Sequence, residues 1–115
     1  MPASSSKIDI SQALLNELGF VQSGALSTAT ALSAIGTGVP AGAQVAEIQA
    51  DGGAVRWRMD GTSPTISVGM RIPQDVTIQA NFLDLENLEV IGETAAEKVN
   101  ITYYAYATDD ELGAA

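Results

Sequence analysis

The chain has 115 residues, with fourteen acidic and five basic side chains and a formal net charge of −9 at pH 7. This length suits one domain with one core. The acidic balance argues against binding a nucleic-acid backbone or an anionic membrane surface, since both need clustered Lys and Arg. Apolar residues make up 46% of the chain, so disorder over its whole length is not expected.

The sequence contains neither Cys nor His. Disulfides, thiol chemistry, His-dependent nucleophilic catalysis and the usual zinc sites are therefore excluded. No apolar run approaches the ~18 residues of a membrane-spanning helix, and the N-terminal MPASSSKIDI lacks the apolar core of a secretion signal. We expect no cofactor, no membrane partner and no nucleic-acid partner, and a protein that is made and used without classical secretion.

Near the N-terminus, the segment IDISQALLNELGF has the spacing of a helix. Ile10, Leu14 and Leu18 fall at positions i, i+4 and i+8, which places them on one helical face. Gly19 stands where a glycine that ends a helix belongs. We predict a short N-terminal helix or arm over residues 1–20, whose apolar stripe packs either on the domain's own core or on a partner.

Residues 21–42 are rich in Ala, Ser, Thr and Gly. Within them, Leu26, Thr28, Thr30 and Leu32 fall at every second position, which predicts a thin strand. From Ala43 onward, short alternating runs are separated by turns that contain Gly, Asp and Pro, among them DGG and DGTSP. The strand pattern therefore dominates the rest of the chain.

The alternation assigns one side chain in two to the interior. The residues predicted to face inward are Ala46, Ile48 and Ala50; Val55, Trp57 and Met59; Ile66, Val68, Met70 and Ile72; Val76, Ile78 and Ala80; Leu88 and Val90; and Val99, Ile101 and Tyr103. We predict a mainly β fold, an antiparallel β-sandwich of jelly-roll-like form with about six to eight short strands. This domain would span residues 21–107, followed by an acidic flexible tail over 108–115.

Arg56 and Arg58 are two of the five basic residues and share one strand face, about 7 Å apart. They could grip carboxylates of a partner, or they could pair with Glu47 and other carboxylates of the same sheet. Tyr104 and Tyr106 share the strand face opposite Tyr103. Tyrosine is favoured at interfaces, but it is also common in strands for its β propensity, so both interpretations stay open.

The acidic residues between positions 84 and 97 predict a solvated face. Their spacing does not match a calcium-binding loop, and no aromatic-rich cleft accompanies them as in a glycosidase. The glycine-rich GTGVPAG lacks the Lys of a phosphate-binding loop. We expect no enzymatic activity and no metal site.

The run AVRWRMDGTSPTISVGMRIP, followed later by VNITYYAY, resembles a pattern of small virion proteins of tailed bacteriophages. An Arg-Trp-Arg strand, an Asp-Gly turn and a Gly-Met pair come in this order, and the resemblance covers residues 45–105. It implies a small β-sandwich without catalytic residues, and the acidic segment 85–98 departs from it. The residues that it identifies as shaping the fold are Arg56, Trp57, Arg58, Asp60, Gly61, Pro64, Gly69 and Met70.

The resemblance implies a structural protein of the virion, and we expect a head decoration or cement protein. It would bind the major capsid protein across capsomers, form a dimer or trimer, and lie on the capsid surface after assembly in the host cytoplasm. The alternatives are a neck, tail, fibre-attachment or receptor-binding component, and a glycan-binding module. The candidate partner-interface residues are Ile10, Leu14, Leu18, Arg56, Arg58, Tyr104 and Tyr106.

Overall fold

The computed structural model describes residues 15–81 and 85–107. They form eight β-strands and two short 3₁₀ turns, Leu32–Ala34 and Leu85–Asn87. The strands are β1 (Leu15–Gln22), β2 (Thr30–Ala31), β3 (Val45–Asp51), β4 (Val55–Arg58), β5 (Met70–Ile72), β6 (Thr77–Ala80), β7 (Glu89–Gly92) and β8 (Lys98–Tyr106). The prediction of a mainly β fold is confirmed.

The strands form two four-stranded antiparallel sheets. Sheet A has the order β1-β8-β3-β6, and sheet B has the order β2-β7-β4-β5. The neighbouring strands include the pairs β1–β8 and β3–β6 in sheet A and the pairs β2–β7 and β4–β5 in sheet B, all antiparallel. Because β3 and β4 belong to different sheets, the DGG turn at Asp51–Gly53 carries the chain from one layer to the other.

One apolar core lies on the inner faces of the two sheets. The alternation predicted for β3 and β8 is confirmed, with the core side chains fully buried and Glu47 and Gln49 on the other face. The largest fully buried side chains are Tyr103, Leu32, Ile48, Ile72, Leu88, Ile101, Val45, Val55, Val90 and Val99. Burying an aliphatic side chain of this size stabilises the fold by about 1.5–3 kcal/mol, so this cluster supplies the main driving force for folding.

The prediction of an N-terminal helix is wrong for the part that the structure describes. Residues 15–22 form β1, which pairs antiparallel with β8. A β-bulge between Glu17 and Gly19 shifts the register of this pairing. A helix of two to three turns is marginal by itself, so pairing with β8 outweighs the local helical spacing. β1 also crosses position 20, the predicted end of the arm, while Ile10 and Leu14 lie outside the described residues.

Two further strand predictions hold only in part. Of the strand predicted over 26–32, only Thr30–Ala31 forms β2, and of the strand predicted over 66–72, only Met70–Ile72 forms β5. Four residues predicted to face inward are exposed instead: Ile66, Val68, Met70 and Val76. Ile66, Val68 and Val76 are exposed because hydrogen-bonded turns, not strands, occupy residues 65–68 and 73–76. Met70 lies in β5 on the same face as the buried Ile72, but at the end of the strand where that face is left uncovered.

Glu97 corrects the prediction that the acidic stretch is a solvated face, because its side chain is buried (2% exposed). The Thr94 backbone N–H donates to Glu97 Oε1 at 2.9 Å, and the Thr94 hydroxyl donates to Oε2. The carboxylate packs against Gly53 and Gly92, and a Cβ added at Gly53 would lie 2.6 Å from Oε2. Glu97 therefore joins the β3–β4 turn to the β7–β8 turn.

Burial by itself would raise the pKa of the Glu97 carboxyl, but the hydrogen bonds from Thr94 and from the backbone of Ala96 and Glu97 together outweigh it and hold that pKa below its ordinary value of 4.5. The stabilisation is thus complete above pH 4.5 and is lost as the pH falls through the lower pKa of the folded state. We expect Glu97→Gln to lower the free energy of unfolding at pH 7 by about 1–2 kcal/mol, since a charged acceptor is lost.

Urea unfolding at pH 7 and at acidic pH measures this effect, with the exposed Glu86→Gln as the matched control. The difference in the free energy of unfolding between wild type and Glu97→Gln should be smaller at acidic pH than at pH 7. The free energy of unfolding of Glu86→Gln should equal that of the wild type at both pH values. A gap that does not change with pH would contradict the assignment of an ionised, hydrogen-bonded Glu97.

Tyr103 is fully buried, and its hydroxyl has no hydrogen-bond partner among the described residues. Its burial raises the pKa of the phenol to about 12.

We expect Tyr103→Phe to leave the free energy of unfolding unchanged or to raise it by up to about 1 kcal/mol, since an unsatisfied buried hydroxyl is removed. Tyr104→Phe is the control, because Tyr104 donates to Glu47 Oε1 at 2.8 Å. Thermal unfolding of both variants compares them, and a marked loss in Tyr103→Phe alone would show that its hydroxyl is satisfied.

Candidate interaction surface

The β4–β5 hairpin of sheet B carries an open groove of about 720 Å³, which we call the apolar groove. Its apolar wall and polar rim come from six side chains: Trp57, Met59, Val68 and Met70 on the wall, and Arg58 and Asp60 on the rim. A contiguous patch of large apolar side chains that stays exposed on a folded domain is a candidate surface for binding a partner.

The groove arises from the register of β4 and β5. Val55 lies opposite Ile72, and Trp57 lies opposite Met70, so all four side chains share one face of sheet B. The first pair is fully buried, whereas Met70 in the second pair is 62% exposed. The apolar inner face of sheet B therefore continues beyond the part of it that is covered.

Trp57 contacts both the buried core and the apolar groove. It packs against the buried core cluster, as predicted for an inward-facing residue, and it also lines the apolar groove. Tryptophan is the residue type most enriched at the energetic centres of protein interfaces. The sequence analysis assigned Trp57 only to the core, and the structure adds a surface to it.

A tight turn at residues 65–68 holds more apolar side chains outside. The Thr65 N–H donates to the Val68 carbonyl at 2.8 Å, and the Val68 N–H donates to the Thr65 hydroxyl oxygen at 3.0 Å. The Ser63 hydroxyl ties the same loop to Glu89 of β7 at 2.8 Å. Ile66 and Val68 are thus displayed by a hydrogen-bonded turn.

Gly69 lets this loop fold back onto β4. Its φ is +141°, which only glycine adopts readily, and an added Cβ would lie 3.1 Å from the Trp57 carbonyl oxygen and 3.2 Å from Pro64 Cβ. The Gly69 carbonyl accepts a hydrogen bond from Arg56 Nη1 at 3.0 Å. The sequence predicted a bulge or a close contact at this glycine, and the structure shows the close contact.

The rim of the groove carries an ion pair. Arg58 Nε donates to Asp60 Oδ1 at 3.0 Å, and a second bond joins Arg58 Nη2 to Oδ2. These hydrogen bonds lower the pKa of the Asp60 carboxyl and raise that of the Arg58 guanidinium. Asp60 also accepts from the Thr62 N–H at 3.3 Å, and Gly61 takes a positive φ of 87° in the same turn.

Of the two interpretations of Arg56 and Arg58, the structure shows pairing with carboxylates of the same chain, but Glu47 is not one of them. Arg56 Nε lies 2.9 Å from Glu93 Oε2, and Arg71 Nε of the neighbouring strand lies 3.0 Å from the same oxygen. Glu47, on sheet A, accepts from Tyr104 instead. The arginines find acidic partners within sheet B and its loops because β4 and β3 belong to different layers.

The tyrosines lie on the outer face of sheet A, away from the arginines. Tyr104 donates to Glu47, which is the largest reason that the pKa of its phenol rises to about 12. The hydroxyl of Tyr106 accepts from Asn81 Nδ2 at 3.3 Å, and its backbone N–H donates to Gln44 Oε1 at 2.9 Å. The candidate interface residues therefore separate into two surfaces, with Leu18 on the edge strand β1 beside the tyrosines.

In residues 15–81 and 85–107, no group of three or more acidic side chains is placed to hold a metal ion. No helix in these ranges is long and apolar enough to cross a membrane. Comparison of the chain with protein-family models, curated proteins and solved structures found no match.

Sequence reasoning missed Ile66, Val68 and Met70 as surface residues, since it assigned all three to the core. One signal was present in the sequence. Pro64 and Gly69 bracket a four-residue run, and both residue types are uncommon inside a strand. A turn at 65–68 could have been predicted from that bracket.

We expect Gly69→Ala to lower the free energy of unfolding by about 1–3 kcal/mol, because it forces a side chain into a glycine-only conformation against β4. Urea unfolding followed by the fluorescence of Trp57 measures this, and the folded-state emission reports the groove directly. Gly24→Ala is the control, since an added Cβ there meets nothing within 4 Å. Equal stability of the two variants would contradict the close packing at Gly69.

Proposed function

We propose that this chain is a non-enzymatic structural protein of a tailed-phage virion, a decoration or cement protein that binds the major capsid protein through the apolar groove. The observation that carries the proposal is the groove itself, with Met70 62% exposed and Trp57 beside it. The resemblance of the β4–β5 segment to small virion proteins supports the same role, and these are the residues that build the groove.

The chemistry of the groove suits a protein partner. Trp and Met are enriched in the buried centres of protein interfaces, and charged pairs lie at their rims. Here the apolar wall would supply binding free energy by leaving water, while the Arg58–Asp60 pair would orient the partner. A small-molecule site would instead be an enclosed cleft with several converging polar groups.

The finer description of the fold as a jelly roll belongs to the same proposal. A long hairpin rolled into two layers would produce four antiparallel pairs divided between two sheets. The pairs observed are β1–β8, β2–β7, β3–β6 and β4–β5. Jelly rolls of eight strands serve in viral capsids and in lectins. This is an analogy of fold, which by itself does not select a function.

A decoration protein stabilises a shell by mass action, because it binds only the assembled form. This role needs an exposed apolar anchor, a rigid scaffold behind it and a surface that avoids non-specific adhesion. The groove, the buried core and the net charge of −9 meet these needs in turn.

We expect Met70→Asp to weaken binding to the virion shell by at least about tenfold, because a charge in the centre of a desolvated apolar contact is unfavourable. Met70 is exposed, so the fold should tolerate the change. Purified protein, wild type or variant, is mixed with phage particles that lack it, and the bound copies are counted by quantitative mass spectrometry.

Val76→Asp is the matched control, since Val76 is also exposed but does not line the groove. A wild-type copy number close to that of the major capsid protein would support decoration. A few dozen copies would assign the protein to the neck, tail or fibres instead. Binding that Met70→Asp and Val76→Asp affect equally would overturn the groove as the docking surface.

A further inference from the structure

The outer face of sheet A carries three side-chain amides in one row, which we call the amide row. Gln22 of β1 lies opposite Asn100 of β8, and Asn100 lies opposite Gln49 of β3. Gln22 Nε2 donates to Asn100 Oδ1 at 2.8 Å, and Asn100 Nδ2 donates to Gln49 Oε1 at 3.1 Å. The three amides therefore form a hydrogen-bonded chain across three neighbouring strands.

Asp51, at the end of β3, holds the amide row in place. Its Oδ2 accepts from Gln22 Nε2 at 3.3 Å and from Asn100 Nδ2 at 3.4 Å. Groups that already occupy their binding positions lose little conformational freedom when a ligand arrives. The amide row is therefore preorganised for a polar ligand.

The amide row keeps hydrogen-bonding capacity at both ends. A side-chain amide has two N–H donors and an oxygen with two lone pairs. No hydrogen bond of the described residues ends on Gln22 Oε1, and Gln49 Nε2 uses one N–H, on the Asp75 carbonyl at 3.5 Å. An acceptor on β1 and a donor on β3 thus remain for a ligand, two strands or about 10 Å apart.

Phe20 lies beside the amide row on the same face. It precedes Gln22 by two residues in β1, it lies opposite Thr102 of β8, and its side chain is 59% exposed. On the side of the amide row, its neighbours Gln22, Thr102 and Asn100 are all polar. This surface differs from the apolar groove, because an aromatic ring here adjoins amides and a hydroxyl.

We propose that the amide row and Phe20 bind a neutral oligosaccharide. A sugar hydroxyl both donates and accepts, which matches amides that offer both functions. The C–H groups on one face of a sugar ring can pack on the electron-rich face of an aromatic ring. A ligand that reaches from β1 to β3 must be longer than one sugar ring. This inference goes beyond the proposed function and does not depend on it.

The charges of sheet A favour a neutral ligand. Its strands contain three acidic residues, Glu17, Glu47 and Asp51, and one basic residue, Lys98. The whole chain has a net charge of −9. This excess of negative charge repels an anion, so sugars that carry carboxylate, sulfate or phosphate groups are disfavoured.

The first experiment is a titration of the full chain with defined oligosaccharides, followed by nuclear magnetic resonance. The neutral probes are hexasaccharides of glucose, galactose, mannose and N-acetylglucosamine, and the acidic probe is a hexamer of galacturonic acid. The side-chain NH₂ signals of Gln22, Gln49 and Asn100 report directly on the amide row. We expect at least one neutral probe to shift all three signals and the acidic probe to shift none.

The second experiment tests the aromatic contact with the neutral probe that binds. We expect Phe20→Ala to weaken binding by about tenfold, since the packing surface for the sugar ring is lost. Phe20→Tyr keeps an aromatic ring and should bind like the wild type. Val76→Ala is the matched control, an exposed apolar residue in the turn before β6. Thermal unfolding checks that Phe20→Ala remains folded, as expected for an exposed side chain.

Failure of every neutral probe to bind would overturn the proposal, and so would equal binding by Phe20→Ala and the wild type. Preference for the acidic probe would overturn the assignment of a neutral ligand. These outcomes are distinguishable from failure of the proposed function. Met70→Asp changes the apolar groove on sheet B, so it should bind the neutral probe like the wild type.

Discussion

The double pairing of β8, with β1 on one edge and β3 on the other, is the constraint on which the rest of the structure depends. Along β8, Val99, Ile101 and Tyr103 point into the core and alternate with polar residues on the outer face. A register slip of one residue would reverse both faces and bury the polar set. β8 therefore determines which face of sheet A is buried against the residues of sheet B.

The apolar groove follows from the same layered arrangement. The cross-strand pair Val55–Ile72 is buried, and the next pair on the same face, Trp57–Met70, opens to solvent. Polar contacts from Ser63, Asp60 and Arg56 hold the following loop in place beside it. A surface of this kind binds by removing apolar area from water, and it needs no group poised for catalysis.

The apolar groove is formed by residues of sheet B and of the loop that joins β4 to β5. The rest of the surface carries a different character, since a net charge of −9 discourages adhesion wherever apolar contact is not provided.

Local patterns in the sequence predicted many of the strands and their buried faces, but few of the exposed apolar residues. Strict alternation in β3 and β8 predicted which side chains are buried, because a half-buried strand repeats every two residues. The pattern misled at β1, where residues with the apolar spacing of a helix form a strand that pairs with β8. It misled again at residues 65–68, where apolar side chains alternate within a turn.

The sequence by itself therefore determined the fold class, the inward faces of the regular strands and the lack of chemistry that requires Cys or His. The tertiary structure decided that Glu97 is buried, that Glu93 pairs with Arg56 and Arg71, and that Met70 is exposed. These outcomes depend on which strands become neighbours and on how far one sheet covers the other. Such contacts join residues distant along the chain, and local periodicity carries no information about them.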